Sequence, residues 1–284
     1  MTISKTSATP LVRAGIGGWT FAPWRGTFYP EGLAQKDELH YASRQVTAIE
    51  INGTFYGTQK PSSFRKWHDE TPDDFVFALK APRYTTHRKV LAEAGESIQR
   101  FLDSGLSELG DKLGPINWQF PASKPFVPED FDAFLSMLPK DLNGTTLRHA
   151  VELRHISFAV PECMDLLRRH GVAVVSADSP DYPQIFDTTA SFSYIRLQNA
   201  AENKVNGYGP KVLDQWVKRA CLWSEGQVPD DLPTLSPASN ATKSGKKEHL
   251  RSETHIPHPV FLFFINGFKP KAPAAAAAFL KRLP

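Results

Sequence analysis

At 284 residues and 41% hydrophobic content, the chain is long enough to bury a large core and has the composition of an ordinary globular protein rather than a disordered one. A formal charge of +3 is small for that length, and the Lys and Arg residues are dispersed, so no basic stripe marks a nucleic-acid surface. The N-terminal MTISKTSATP lacks the apolar stretch of a secretion signal, no apolar run approaches the ~18 residues of a membrane span, and the two cysteines, Cys163 and Cys221, stand in no metal or redox spacing. A cytoplasmic protein with no membrane partner is expected.

The chain opens on a tail, 1–12, expected to be flexible. The first strand candidate is RAGIG (13–17). VTAIEIN (46–52), FVFALK (75–80), INWQF (116–120), HAVELR (149–154), VAVVSAD (172–178), FSYIRLQ (192–198) and VFLFFIN (260–266) follow, each a short run rich in apolar residues. Between them lie helical periodicities: KDELHYASR, SSFRKWHDE, ESIQRFLDSGLSELGDKLG, PEDFDAFLSMLP, PECMDLLRRHG and KVLDQWVKRACLW, with APAAAAAFLKRLP closing the chain. Several open on Ser, Pro or an acidic residue and stop at Gly or Pro, as helix ends do. Eight strands alternating with helices predict an α/β protein, a TIM (β/α)8 barrel forming one domain over 13–284. Two stretches are irregular. SPDYPQIFDTTA, after the sixth strand, has two prolines and no helical period, and 225–258 is polar and rich in Pro, Ser and Lys. The latter predicts a disordered insertion before the eighth strand.

A carboxylate at the end of an interior strand needs a reason, because a buried unpaired charge costs several kcal/mol. Period-two alternation assigns Val46, Ala48, Glu50 and Asn52 to one side of the second strand, and Val76, Ala78 and Lys80 to one side of the third. Continuing the count gives Asn117 and Gln119, then Ala150, Glu152 and Arg154, then Val174, Ser176 and Asp178. Tyr194, Arg196 and Gln198 come next, and finally Leu262, Phe264 and Asn266. Each of these strands ends on a polar residue expected to face inward at the C-terminal mouth, where barrel enzymes assemble their sites. The same residues also fit charge pairs, Glu152 with Arg154 or Glu50 with Lys80, that plug a barrel without chemistry.

The motifs GIGGWTFAPWRGTFYP, IEINGTFY, FVFALKAPRYTTH, LGPINWQFP, AVELRHISF, VAVVSAD, YIRLQN and FFING, in this order and spacing, resemble the domain-of-unknown-function-72 proteins, also called YecE-like. The resemblance covers nearly the whole chain outside the tail and the 225–258 segment. It implies a TIM barrel and a mouth site, and names no reaction. One departure stands out. Family members commonly follow the strand-seven Arg with a His-Gly pair, and this chain reads Arg196, Leu197, Gln198, Asn199.

The mouth inventory defines the chemistry to be tested. Glu50, Glu152, Asp178 and Lys80 are the catalytic candidates, with Glu50 or Glu152 as general acid or base of a hydrolase or isomerase and Lys80, Arg154 and Arg196 stabilising negative charge. Asn52, Gln119 and Asn266 supply amides. Loops add Trp19, Trp24, Tyr56, Arg83, Tyr84, His87 and His155, and NGFKPKAP brings Lys269 near the mouth. Aromatic rings beside Arg and Lys suit a small anionic ligand with a flat or sugar-like face, phosphorylated or nucleotide-like. No cofactor and no metal are expected, since three cations compete for the carboxylates and only His87 and His155 lie near strand ends. Two alternatives remain open: a metal-dependent phosphodiesterase-like or isomerase-like barrel, and a non-catalytic binder of an anionic ligand or of single-stranded nucleic acid, the latter disfavoured by the dispersed charge.

Overall fold

The computed structural model describes residues 11–235 and 258–284. Eight strands, β1 (Val12–Gly17), β2 (Ala48–Ile51), β3 (Val76–Lys80), β4 (Leu113–Gln119), β5 (His149–Glu152), β6 (Ala173–Ala177), β7 (Ser193–Leu197) and β8 (Val260–Phe264), form the barrel. They pair in sequence order, all parallel, and β8 closes back onto β1, with Val12 opposite Val260 and Ile16 opposite Phe264. Closure leaves no strand edge open. Gly15 lets β1 and β2 approach, because a Cβ at that position would stand 1.6 Å from the Ala48 carbonyl oxygen.

Two layers of side chains fill the molecule. Ala48, Ala78 and Ala150, the small residues of β2, β3 and β5, face the barrel axis with Tyr194, Phe261 and Phe263 from β7 and β8. Large rings from one half of the barrel thus occupy the space that alanines leave on the other, with Tyr194 and Phe263 at 5.3 Å between centroids. The opposite faces of the strands pack onto the helices around Phe77, Trp118, Leu262 and Phe264.

Two of the predicted side-chain parities are reversed. Ala177 and Phe263 each pair beside Arg196, so Ala173, Val175, Phe261 and Phe263 face the axis, and Val174, Leu262 and Phe264 face the helices. Apart from Ser176, both strands are apolar on both faces, so alternation carries little sign of direction, and their polar residues Asp178 and Asn266 lie beyond the last paired position.

The helix predicted over 96–114 is broken. It runs Gly95–Leu102, the chain turns at Gly105 with φ 106°, and a 3-10 segment, Leu106–Lys112, follows. A hairpin of Asp141–Leu142 with Thr145–Thr146, turning on Asn143 and Gly144 at positive φ, is an addition that its Asn-Gly pair signals. The unit between β6 and β7 has no helix, as expected, and is held instead by Thr189 Oγ1, which accepts from Val174 N and donates to Val172 O. The segment predicted as a disordered insertion begins bound to the barrel. Pro233 O accepts from Phe186 N at 3.1 Å, and Asp187 Oδ2 accepts from Leu235 N at 2.7 Å. The remainder of that prediction, 236–257, and most of the predicted tail, 1–10, lie outside the described residues. Among the described residues no helix is long and apolar enough to cross a membrane.

Candidate functional site at the barrel mouth

A cavity of about 590 Å³ opens at the C-terminal ends of the strands. All of its charged lining residues are cations: Lys80, Arg154, Arg196 and Lys269. Trp19, Phe55, Tyr56 and Trp67 add aromatic surface, and Trp19 meets Trp67 edge-on at 5.3 Å. Local structure fixes these groups. Lys80 ends β3, where its carbonyl accepts from Thr54 Oγ1 at 2.7 Å. Thr54 belongs to a single helical turn, Gly53–Tyr56, which brings Phe55 under the lysine with Nζ 4.0 Å from the ring centroid.

Beneath the cavity runs a charged network. Glu50, fully buried, accepts from Tyr194 OH at 2.6 Å through Oε2 and from Arg196 Nη2 at 3.0 Å through Oε1. Arg196 Nη1 also donates to Glu152 Oε2, and Glu152 Oε1 accepts from Arg154 Nε at 2.9 Å and Nη2 at 2.7 Å. Arg154 reaches on to Gln119 Oε1 at 2.9 Å and lies 4.4 Å from the Tyr182 ring centroid. Both carboxylates therefore spend their oxygens on Tyr194 and the arginines, and neither lines the cavity. Four lining cations over two carboxylates leave an excess positive charge facing the opening.

The ionisation states follow from that arrangement. Burial alone would raise the Glu152 carboxyl, but Arg196, Arg154 and Lys80 outweigh it and hold it at about 2. Burial works against the Arg196 charge too, and Glu152 and Glu50 reverse the effect and raise its pKa. Lys80 has the opposite balance. Burial, then repulsion from Arg196, lowers its ammonium to about 8 despite Glu50 and Glu152 nearby. Its Nζ makes no hydrogen bond or ion pair among the described residues.

Of the predicted site residues, Trp19, Asn52, Tyr56, Lys80, Gln119, Arg154, Arg196 and Asn266 line this cavity. Glu50 and Glu152 lie under it. Asp178, Tyr84, His87 and His155 are not among its lining residues. Asp178 accepts from Gln198 N and from Tyr208 OH at 3.2 Å, on the side away from the axis that its true parity dictates, and burial pushes its carboxyl up to about 7. His155 Nδ1 sits 2.7 Å from Ser157 Oγ and caps the turn Ile156–Phe158. His87 packs against Phe55, its pKa lowered by burial and by Arg83, Arg154 and Lys80. Tyr84 is half-exposed on its own short turn, Arg83–Thr86, and Trp24 is wholly buried core. Phe55, Gln59, Trp67 and Tyr182 were not predicted. Trp67 reads as helix core, and Tyr182 falls in the aperiodic unit after β6. Among the described residues no three His, Cys, Asp or Glu side chains are grouped to hold a metal ion.

A family profile described as "Protein of unknown function DUF72" matches residues 13–284. The chain is 30% identical to the UPF0759 protein YecE of Escherichia coli (strain K12) over 151 residues, 52% of this chain and 50% of that protein. It is 26% identical to the UPF0759 protein YunF of Bacillus subtilis (strain 168) over 116 residues, 39% of this chain and 40% of that one. The matched part thus spans about half the length, or less, of these relatives. A crystal structure of a DUF72 family protein from Thermotoga maritima superposes with a TM-score of 0.66 at 24% identity, covering 95% of this chain and 98% of the other. One from Enterococcus faecalis gives 0.67 at 16% identity, covering 96% and 95%. Both share the fold. With the profile running from β1 to the C-terminus, the chain belongs to the DUF72 family.

Proposed function

We propose that the mouth cavity binds a small anionic ligand, phosphate- or carboxylate-bearing, with a sugar-like or planar face laid against Trp19 and Tyr56. The observation that carries this reading is the segregation of charge: the charged lining is Lys80, Arg154, Arg196 and Lys269, while Glu50 and Glu152 sit below it as counter-charges. An anion placed there gains charge-assisted hydrogen bonds and relieves the repulsion from Arg196 that, after burial, lowers the Lys80 pKa. Glu50 and Glu152 act as positioning residues, since their oxygens are held by Tyr194 and the arginines. Among the described lining residues on the β-strands, Lys80 is the cation with no carboxylate bonded to it.

Calorimetric titration with inorganic phosphate, pyrophosphate and a series of sugar phosphates tests the reading. We expect binding that weakens with salt, and a loss of about 10–100-fold in Lys80→Met, the scale of one charge-assisted hydrogen bond. No binding of any of these anions at millimolar concentration, or equal affinity in Lys80→Met, refutes it.

A further inference from the structure

We propose that Lys80 is a nucleophile, and that the ligand of this cavity is an anionic aldehyde or ketone with which its Nζ forms an imine. This rests on the anionic-ligand reading and deepens it by naming a second functional group on the ligand. The two arginines are pinned, each to a carboxylate, and present guanidinium groups suited to phosphate or carboxylate. Lys80 differs from both. Its side chain is 6% exposed, its Nζ has no hydrogen-bond or ion-pair partner among the described residues, and it stands over the Phe55 ring while lining the cavity beside Arg196. Anion binding accounts for the cluster of cations, but not for leaving one of them desolvated and without a hydrogen-bonded counter-charge beside guanidinium groups that disfavour its charged form. Those two conditions, desolvation and a cationic neighbour, are the ones that make a lysine nucleophilic.

Its ammonium is lowered to about 8, so about a tenth of it is neutral at pH 7, against well under a thousandth for an ordinary lysine. In the step proposed, the neutral amine's lone pair forms a C–N bond to the carbonyl carbon, and the carbonyl π electrons pass to oxygen. One amine proton moves to that oxygen to give a carbinolamine; the nitrogen lone pair then forms the C=N bond as the C–O bond breaks, and the second amine proton goes to the departing oxygen, which leaves as water. No oxidant or reductant is consumed. Arg154 and Arg196 meanwhile hold the ligand's anionic end.

The experiment is borohydride trapping. Intact protein is incubated with pyridoxal 5′-phosphate or glycolaldehyde phosphate, reduced with sodium borohydride, and mapped by peptide mass spectrometry, with phosphate affinity measured in parallel. We expect adducts at Lys80 at least about tenfold above exposed surface lysines, in line with its larger neutral fraction, and suppression by excess inorganic phosphate. The trapping rate at Lys80 should level off near pH 8, while surface lysines continue to rise toward ~10. Lys80→Arg and Lys80→Met should both lose the component of trapping that levels off near pH 8, with circular dichroism checking that each variant is folded. Phosphate binding with adducts on Lys269 or surface lysines, and none on Lys80, overturns the imine and leaves the anion site standing. Absence of binding by phosphate and by both aldehydes overturns the two together.

Discussion

Lys80 is placed where its charge destabilises the fold. Its pKa falls from an ordinary 10.5 to about 8, so the folded state disfavours the protonated amine, and at pH 7 the whole penalty is present. Lys80→Met keeps most of the stem's packing and removes the charge, and should raise the unfolding free energy at pH 7 by roughly 1–3 kcal/mol. The sign is set by a lowered folded-state pKa on a base. The parent gains stability as pH rises from about 8 to 10.5, so the two proteins converge in alkaline solution. Denaturant titrations at pH 7 and pH 10 check this, and a Lys80→Met variant less stable at pH 7 contradicts it. Arg196 is the reverse case. It is buried and pairs with Glu50 and Glu152 at once, so Arg196→Met leaves Glu50 without a hydrogen-bonded cation and Glu152 with Arg154 alone, and should lose ~3–5 kcal/mol. An arginine variant here reports on the fold before it reports on a ligand. Glu50 illustrates how much of this was legible at the residue scale. Its inward parity follows from alternation along β2, whereas its partner Tyr194 lies 144 positions away in sequence, and no local pattern links them.

Among elements, the strands were readable and the breaks between helices were not. β1 to β8 each carry a short apolar run, and propensity with turn signals suffices to place them. The interruption at Gly105 depends on what lies outside the segment: a Cβ there would meet Pro61 at 2.7 Å, and its φ of 106° disfavours any other residue. Gly105→Ala should therefore cost ~2–3 kcal/mol through combined backbone strain and overpacking. Gly15→Ala is more severe, because the new methyl would stand 1.6 Å from the Ala48 carbonyl oxygen, against 2.7 Å from the Pro61 Cα at Gly105. Its loss should exceed ~4 kcal/mol. Chemical denaturation of the two variants gives the ranking, and a Gly15→Ala protein as stable as the parent refutes the close approach of β1 and β2.

Across the whole molecule, acid sensitivity should trace to the network that ties β2, β5 and β7 together under the cavity. Glu152 has its carboxyl lowered from 4.5 to about 2, so its contribution is complete above the ordinary value and is lost as pH falls through the lowered one. The thermal midpoint of the parent should drop between about pH 5 and pH 2 more steeply than that of Glu152→Gln. Parallel slopes contradict this. Asp178 acts in the opposite sense: a carboxyl raised from 3.8 to about 7 makes the folded state the better proton binder, and stability declines across that interval. Asp178→Asn should flatten the decline.

The sequence by itself determined the barrel, because eight apolar runs alternating with helical periods admit few other closures once connections are short and right-handed. It also determined that Lys80, Arg154, Arg196, Gln119 and Asn52 gather at one end, since each closes or follows a strand and shares its alternation with the residues that face the axis. Only tertiary structure decided which charges face the opening. Carboxylate and guanidinium residues at strand ends look alike in sequence, and hydrogen bonds across the barrel from Tyr194 and Arg196 are what draw Glu50 and Glu152 below the surface. It likewise decided the parity of β6 and β8, whose two apolar faces differ only in what packs against them. Periodicity is a property of one strand, whereas inside and outside are defined by all eight.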